Sequence, residues 1–210
     1  IPSASMPKRV VWSEPPQQTD RRITLRHAQV RQPSWSRKIM APGIQSGNLS
    51  MVYALEVLSE IIGGGTTSRL YRSLVVEQKI AVNAGAWYNG YNRGPGSIGF
   101  YGTPLQGKSV LDVEAAMTKE LMRLLKNGVS EQEVSEAITR LQNAAVYARD
   151  GLYAPASIVG EALALGLTLE DVEEWPERIG KIKVKAVNEV IKLVLGRKGS
   201  VTAILLPEDM

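Results

Sequence analysis

The run Gly63-Gly64-Gly65-Thr66-Thr67-Ser68-Arg69-Leu70-Tyr71 separates one apolar helical segment from a second, and it constrains the fold more than any other stretch. Three consecutive glycines end a helix, because they lose the most backbone freedom on ordering and enter positive φ without strain. The flanking segments are therefore expected as two helices joined by a tight reversal. Met51, Leu55, Leu58 and Ile62 give residues 46–62 a helical stripe. Leu70, Leu74 and Val75 do the same for residues 67–78, with Thr67 or Ser68 available as a cap.

The remaining pattern changes period several times. Arg22 to Arg26 and Ser34 to Ala41 alternate as half-buried strands, with Pro33 at the entry to the second. Ile80 to Tyr88 and Ser97 to Thr103 read as a hairpin around the turn-forming residues 89–96. Val110, Val113, Met117, Leu121 and Leu124 then line one helix, stopped by Asn127-Gly128. Ser130 and Glu133 form a capping box for the next, which runs to about Arg149. Shorter helices are expected at 154–165, 169–179 and 185–195, and a buried strand at Val201 to Leu206. The order strand, strand, helix, helix, strand, strand, helices, strand, with short hairpin links, points to an α+β fold: an antiparallel sheet with helices packed on one face.

Residues 1–20 hold Pro2, Pro7, Pro15 and Pro16 among serines and glutamines, a composition suited to a linker from an upstream domain. Residues 21–207 are expected as one domain and 208–210 as a tail. The chain opens on Ile1 without a basic and apolar leader, so any targeting signal is expected to lie upstream or to have been removed, and the chain reads as part of something longer. No apolar run is long enough to span a bilayer. The net charge of +4 is uneven: residues 1–50 hold eight of the 25 Lys/Arg and two of the 21 Asp/Glu. No nucleic-acid motif accompanies this excess, so it is read as the solvent side of a strand pair rather than a polyanion surface.

With one histidine, His27, and no cysteine, the chain cannot supply the pair of imidazoles one helical turn apart that holds zinc in His-x-x-Glu-His proteases. No serine or cysteine nucleophile motif partners His27. The glycine run also lacks the lysine of a phosphate-binding loop.

The segment Ile61 to Ala81, with its glycines, Ser68-Arg69-Leu70-Tyr71 and Glu77-Gln78-Lys79-Ile80-Ala81, resembles the metal-free half of zinc proteases of the pitrilysin, insulinase and mitochondrial processing peptidase superfamily. The order of elements from Arg21 to Pro207 is similar too. The resemblance implies no cofactor in this chain and zinc in a homologous partner half, in the same polypeptide or in a separate subunit, with peptide as substrate. It implies that this half is inactive alone, closes over peptide and positions it. The alternative it leaves open is a non-catalytic assembly subunit such as a respiratory-complex core protein. The compartment is left open between bacterial periplasm and cytoplasm.

The resemblance also names candidate substrate contacts: Gly63, Gly64, Gly65, Arg69, Tyr71 and Arg72. Each has an ordinary reading beside it, the glycines as a helix stop and the others as exposed helix positions. An arginine and a tyrosine seven residues apart, which reach toward substrate in many members, are replaced here by Val75 and Val82. Trp87, Tyr88, Tyr91, Phe100 and Tyr101 stand as either cross-strand packing or a grip on extended peptide.

Overall fold

The computed structural model describes residues 15, 17–45 and 48–208. Most of the proposed linker, the first residues of the helix expected from Ser46, and the end of the tail lie outside them. Five strands form one sheet: β1 (Arg21–Arg26), β2 (Ser34–Ala41), β3 (Ala81–Asn89), β4 (Gly96–Pro104) and β5 (Val201–Leu206), in the spatial order β1-β5-β2-β4-β3. The pairings β5–β2, β2–β4 and β4–β3 are antiparallel. β1 departs from the sequence expectation, since it joins β5 in parallel and does not touch β2. The physical reason lies in composition. β1 carries three arginines and is exposed along its length, which suits an edge, whereas the apolar β5 occupies the interior place between β1 and β2.

The α+β class and the single helical layer follow the sequence reading. Trp35, Ile39 and Ala41 of β2 point to the core with Ile98 and Phe100 of β4. The opposite face carries Lys38 and Trp87, with the ammonium 5.5 Å from the indole centre. Gly99 lies between their strands, and a Cβ there would meet the Trp87 ring at 2.3 Å.

Against the core face lies α1 (Leu49–Gly63), capped by the Asn48 side chain, which accepts from Ser50 N–H at 2.9 Å. The sequence suggests a one-sided stripe, but Val52, Tyr53, Ala54, Leu55, Val57, Leu58, Ile61 and Ile62 are all buried. An apolar helix of this kind needs cover on several sides. It receives it from β3, α3 (Glu131–Arg149), α6 (Trp175–Gly180) and α7 (Val184–Leu195). α2 (Val110–Asn127) and α3 both begin with the reciprocal capping box, Ser109 with Asp112 and Ser130 with Glu133. α4 (Ala154–Ala164) and α5 (Leu169–Glu173) complete the layer. The helix expected across 169–179 is divided at Glu174, because Pro176 opens a new helix in its first turn.

The second helix differs in kind. After one α-like step at Arg69 and Leu70 the chain winds as a π-helix over Tyr71–Glu77. Gln78 N–H reaches Ser73 O at 2.9 Å, a five-residue step, while its side-chain amide donates to Ser73 Oγ at 2.7 Å. The wider turn buries both Ser73 and Leu74. Lys79, at φ 51°, ends it. Single-turn π segments of this sort concentrate at functional sites.

Candidate functional site: a charged cleft beside the glycine reversal

The glycine run has a local structural employment at each position. Gly63 lies against β3 so closely that a Cβ would stand 2.0 Å from Ala86 N. Gly64 closes α1 by donating to Glu60 O at 3.0 Å. Gly65 sits at φ +108°, which only glycine adopts cheaply. Neither Thr67 nor Ser68 caps the following helix; instead the buried Ser68 hydroxyl donates back to Gly65 O at 2.7 Å and locks the turn.

The turn delivers Thr67, Arg69, Arg72 and Ser73 to the wall of a cleft of about 560 Å³. Ile61 of α1, Glu120 and Arg123 of α2, and Glu133, Glu136 and Arg140 of α3 complete it with Glu77. Four guanidinium groups thus face four carboxylates, and most are paired. Arg69 makes a two-pronged contact with Glu133, Nε at 2.5 Å and Nη2 at 2.7 Å, and also donates to the Gly128 carbonyl at 3.1 Å. Glu133 simultaneously accepts from Ser130 N–H as part of its capping box. Hydrogen bonds from Arg69, reinforced by those from Ser130, hold its carboxyl down to about 2. Arg140 reaches Glu60 at 2.7 Å and Arg123 reaches Glu120 at 2.8 Å. Arg72 has only a 3.8 Å approach to Glu77, and both side chains are largely exposed.

The structure therefore brings Arg69 and Arg72 together at the cleft, whereas Gly63, Gly64 and Gly65 are not among its lining residues. Tyr71, although adjacent in sequence, is not among its lining residues. The α2 and α3 contributions were not singled out by sequence, since a charged residue on a helix looks alike whether it faces solvent or a cleft. Spacing was the available signal: Glu133, Glu136 and Arg140 share one helical face. Val75 packs partly against the core and Val82 is exposed. Val82 is the extra residue of a β-bulge, because the β3–β4 register shifts between Ala81 and Asn83.

The aromatic cluster is split among four places. Phe100 is core, Trp87 and Tyr101 lie over Gly99 and Gly85 on the open sheet face, and Tyr88 donates to Pro42 O. Tyr91 faces Glu56, a largely buried carboxylate on α1 that receives Trp175 Nε1–H at 2.9 Å through Oε2. Its Oε1 accepts no well-formed hydrogen bond. Burial pushes Glu56 up to about 7, against the opposing pull of Tyr91 and Trp175.

The arginines expected on a solvated strand pair are in part tied down. Arg22 grips Glu114 with two bonds of 2.7 and 2.8 Å, and Arg37 reaches Glu114 at 3.3 Å and Thr202 at 3.1 Å. These residues do not fit zinc. His27 Nδ1 accepts from Gln29 N–H at 3.2 Å, and among the described residues no three of His, Cys, Asp and Glu gather as a metal would need. No helix among them is long and apolar enough to cross a membrane. The cleft can hold polar or charged peptide groups, but it contains no nucleophile with an adjacent base.

Residues 7–141 match the family model described as the peptidase M16 inactive domain. A curated relative, an uncharacterized zinc protease of Streptomyces coelicolor, is 25% identical over 152 residues, 72% of this chain and 33% of the relative. A protease from Helicobacter pylori superposes with a TM-score of 0.83 at 17% identity, covering 93% of this chain and 46% of that one. A chain of complex III2 from Candida albicans superposes at 0.73 with 21% identity, covering 89% and 45%. The chain thus spans a third of the length of the curated relative and about half that of these solved chains. The match over residues 7–141, more than half of the chain, leads to one conclusion: the chain belongs to the peptidase M16 inactive-domain family.

Proposed function

We propose that this chain is the zinc-free half of a zinc metalloendopeptidase, and that it closes over peptide and positions it for a homologous zinc-bearing half, in the same polypeptide or a separate one. The observation that carries the reading is family membership joined to likeness to a zinc protease of Streptomyces coelicolor. Zinc chemistry would belong to the other half, where the metal activates water and polarises the scissile carbonyl. The role of this half is to exclude solvent and limit the motions of bound peptide.

Within this half, the proposed peptide contacts are Arg69 and Arg72 of the cleft wall, with Tyr71 and Gly63 to Gly65 near them in sequence. Arg72 is the strongest, since its side chain is 66% exposed and loosely paired. Arg69, held by Glu133 and Gly128 O, keeps the wall in shape. In the complete protein, Arg72→Ala is expected to raise KM for an unstructured peptide several-fold with kcat nearly unchanged, as loss of uniform binding does. An unchanged KM would remove Arg72 from the substrate path. Cleavage itself should be abolished by chelation of zinc.

A second reading, an assembly subunit that has lost peptidase function, is favoured by Val75 and Val82. Neither can offer a charge or hydrogen bond from its side chain to a substrate carbonyl. A complete protein that holds zinc and cleaves no peptide would support that reading over the first.

A further inference from the structure

α2 packs one side against β2, β4 and α7, and its outer side carries a second apolar stripe. Leu111, Ala115, Thr118, Met122 and Leu125 follow one another at intervals of four, three, four and three residues. At 100° per residue these five stay within a band about 80° wide on one continuous helix, so they form a single face. Leu111 is 64% exposed and Met122 is 65% exposed. A groove of about 400 Å³ runs along the middle of the stripe, lined by Ala115, Thr118 and Met122 with Lys119, Arg123 and Lys126. Core packing does not account for this face, because Val110, Val113, Met117, Leu121 and Leu124 already bury the other one.

Spacing and charge together say what fits the stripe. Alternate steps of four and three are the a/d seam along which one helix packs on another. A lipid surface asks instead for a broader apolar face. On the heptad frame set by the stripe, Lys119 and Lys126 both occupy e, the position from which side chains reach across to a neighbouring helix. Neither has an ion-pair partner among the described residues. The remaining e position, Asp112, is taken up in the capping box with Ser109. The face is thus an apolar seam with unneutralised positive charge along one flank, and its complement is an amphipathic helix with carboxylates at the matching edge. Glu120, which lines the charged cleft, is two residues from both Thr118 and Met122 and so lies on the opposite side of α2. The seam is a surface apart from the cleft.

We propose that the outer face of α2 docks an acidic amphipathic helix of a partner protein, laid along Leu111 to Leu125 over about 21 Å at 1.5 Å per residue. Apolar side chains of that helix pack between Leu111, Ala115, Met122 and Leu125, and its carboxylates meet Lys119 and Lys126. This inference stands on α2 and is independent of the proposed function.

The test titrates the complete protein with a labelled synthetic heptad peptide that has Leu at a and d and Glu at e and g, whose like charges keep it from pairing with itself. Fluorescence anisotropy is expected to show saturable binding, with a peptide bearing Lys in place of Glu bound about tenfold more weakly. Lys119→Glu with Lys126→Glu is expected to reverse that preference. Met122→Ser is expected to weaken binding of the acidic peptide about tenfold, each variant keeping its circular dichroism spectrum. Leu152→Ser, at an exposed apolar position outside α2, is expected to change nothing. Equal binding of the two peptides, no binding, or binding indifferent to the α2 variants would overturn the proposal. So would sedimentation showing that Met122→Ser breaks up a dimer of this chain, or a preference for anionic lipid vesicles that the same variants abolish. None of these outcomes bears on the proposed function.

Discussion

Glu56 and Glu133 sit on opposite sides of their ordinary acidity, and each sets a pH window for stability. Glu56 has its folded value raised from 4.5 to about 7 by burial, so between those values the folded chain holds more proton than the unfolded one. Stability from this group is complete below about 4.5 and falls as pH rises to about 7. The loss is on the order of 3 kcal/mol. Glu56→Gln, which keeps the shape and the indole contact, is expected to flatten that slope in chemical unfolding at pH 5 and pH 8. A wild-type slope retained in the variant would place the titration elsewhere. Glu133 is the reverse case, held down to about 2 chiefly by Arg69. Its contribution is present above about 4.5 and is lost as pH falls toward 2. Arg69→Ala should cost about 1–2 kcal/mol at neutral pH and shrink the acid limb of the profile. Neither role was legible in the sequence. Arg69 and Glu133 are 64 residues apart, and nothing in either segment signals the pairing. Glu56 looks like any glutamate on a helix until Trp175 arrives from α6.

At the scale of elements, local signals read well and long-range pairing did not. The capping box at Ser130, the stop at Gly128 and the β3–β4 hairpin rest on neighbouring residues, and the glycine reversal does too; the equally local box at Ser109 was passed over. The insertion of β5 between β1 and β2 pairs Arg21 with Val201 and Ser34 with Leu205, partners at opposite ends of the chain for which a single sequence holds no register. The π-helix escaped for another reason: its turn widens to bury Ser73 beside Leu74, a choice made by packing and not by propensity. Gly63 illustrates how a local signal acquires a tertiary reason. Because a Cβ would stand 2.0 Å from Ala86 N, Gly63→Ala is expected to lift the end of α1 off β3 and lower stability by about 3 kcal/mol. Thermal unfolding measures this, and a shift within error would show that the two backbones can part freely. Gly65→Ala, strained in backbone but open in space, should cost less, about 1 kcal/mol.

At the scale of the whole molecule, the proposed function makes this chain one of two halves. It has a core, a paired charge network and a shaped cleft, yet among the described residues no three of His, Cys, Asp and Glu gather as zinc would need. Membership of the family was legible from Ile61 to Ala81 and from the order of elements. The cleft was legible only on its glycine side, since its α2 and α3 walls come from segments with no unusual composition. The most direct test mixes purified zinc-bearing half with this chain and follows cleavage of an unstructured fluorogenic peptide. The account expects little turnover from either alone and robust, chelator-sensitive turnover from the mixture, saturating near equal amounts. Full activity of the zinc-bearing half alone, unaltered by this chain, would contradict it.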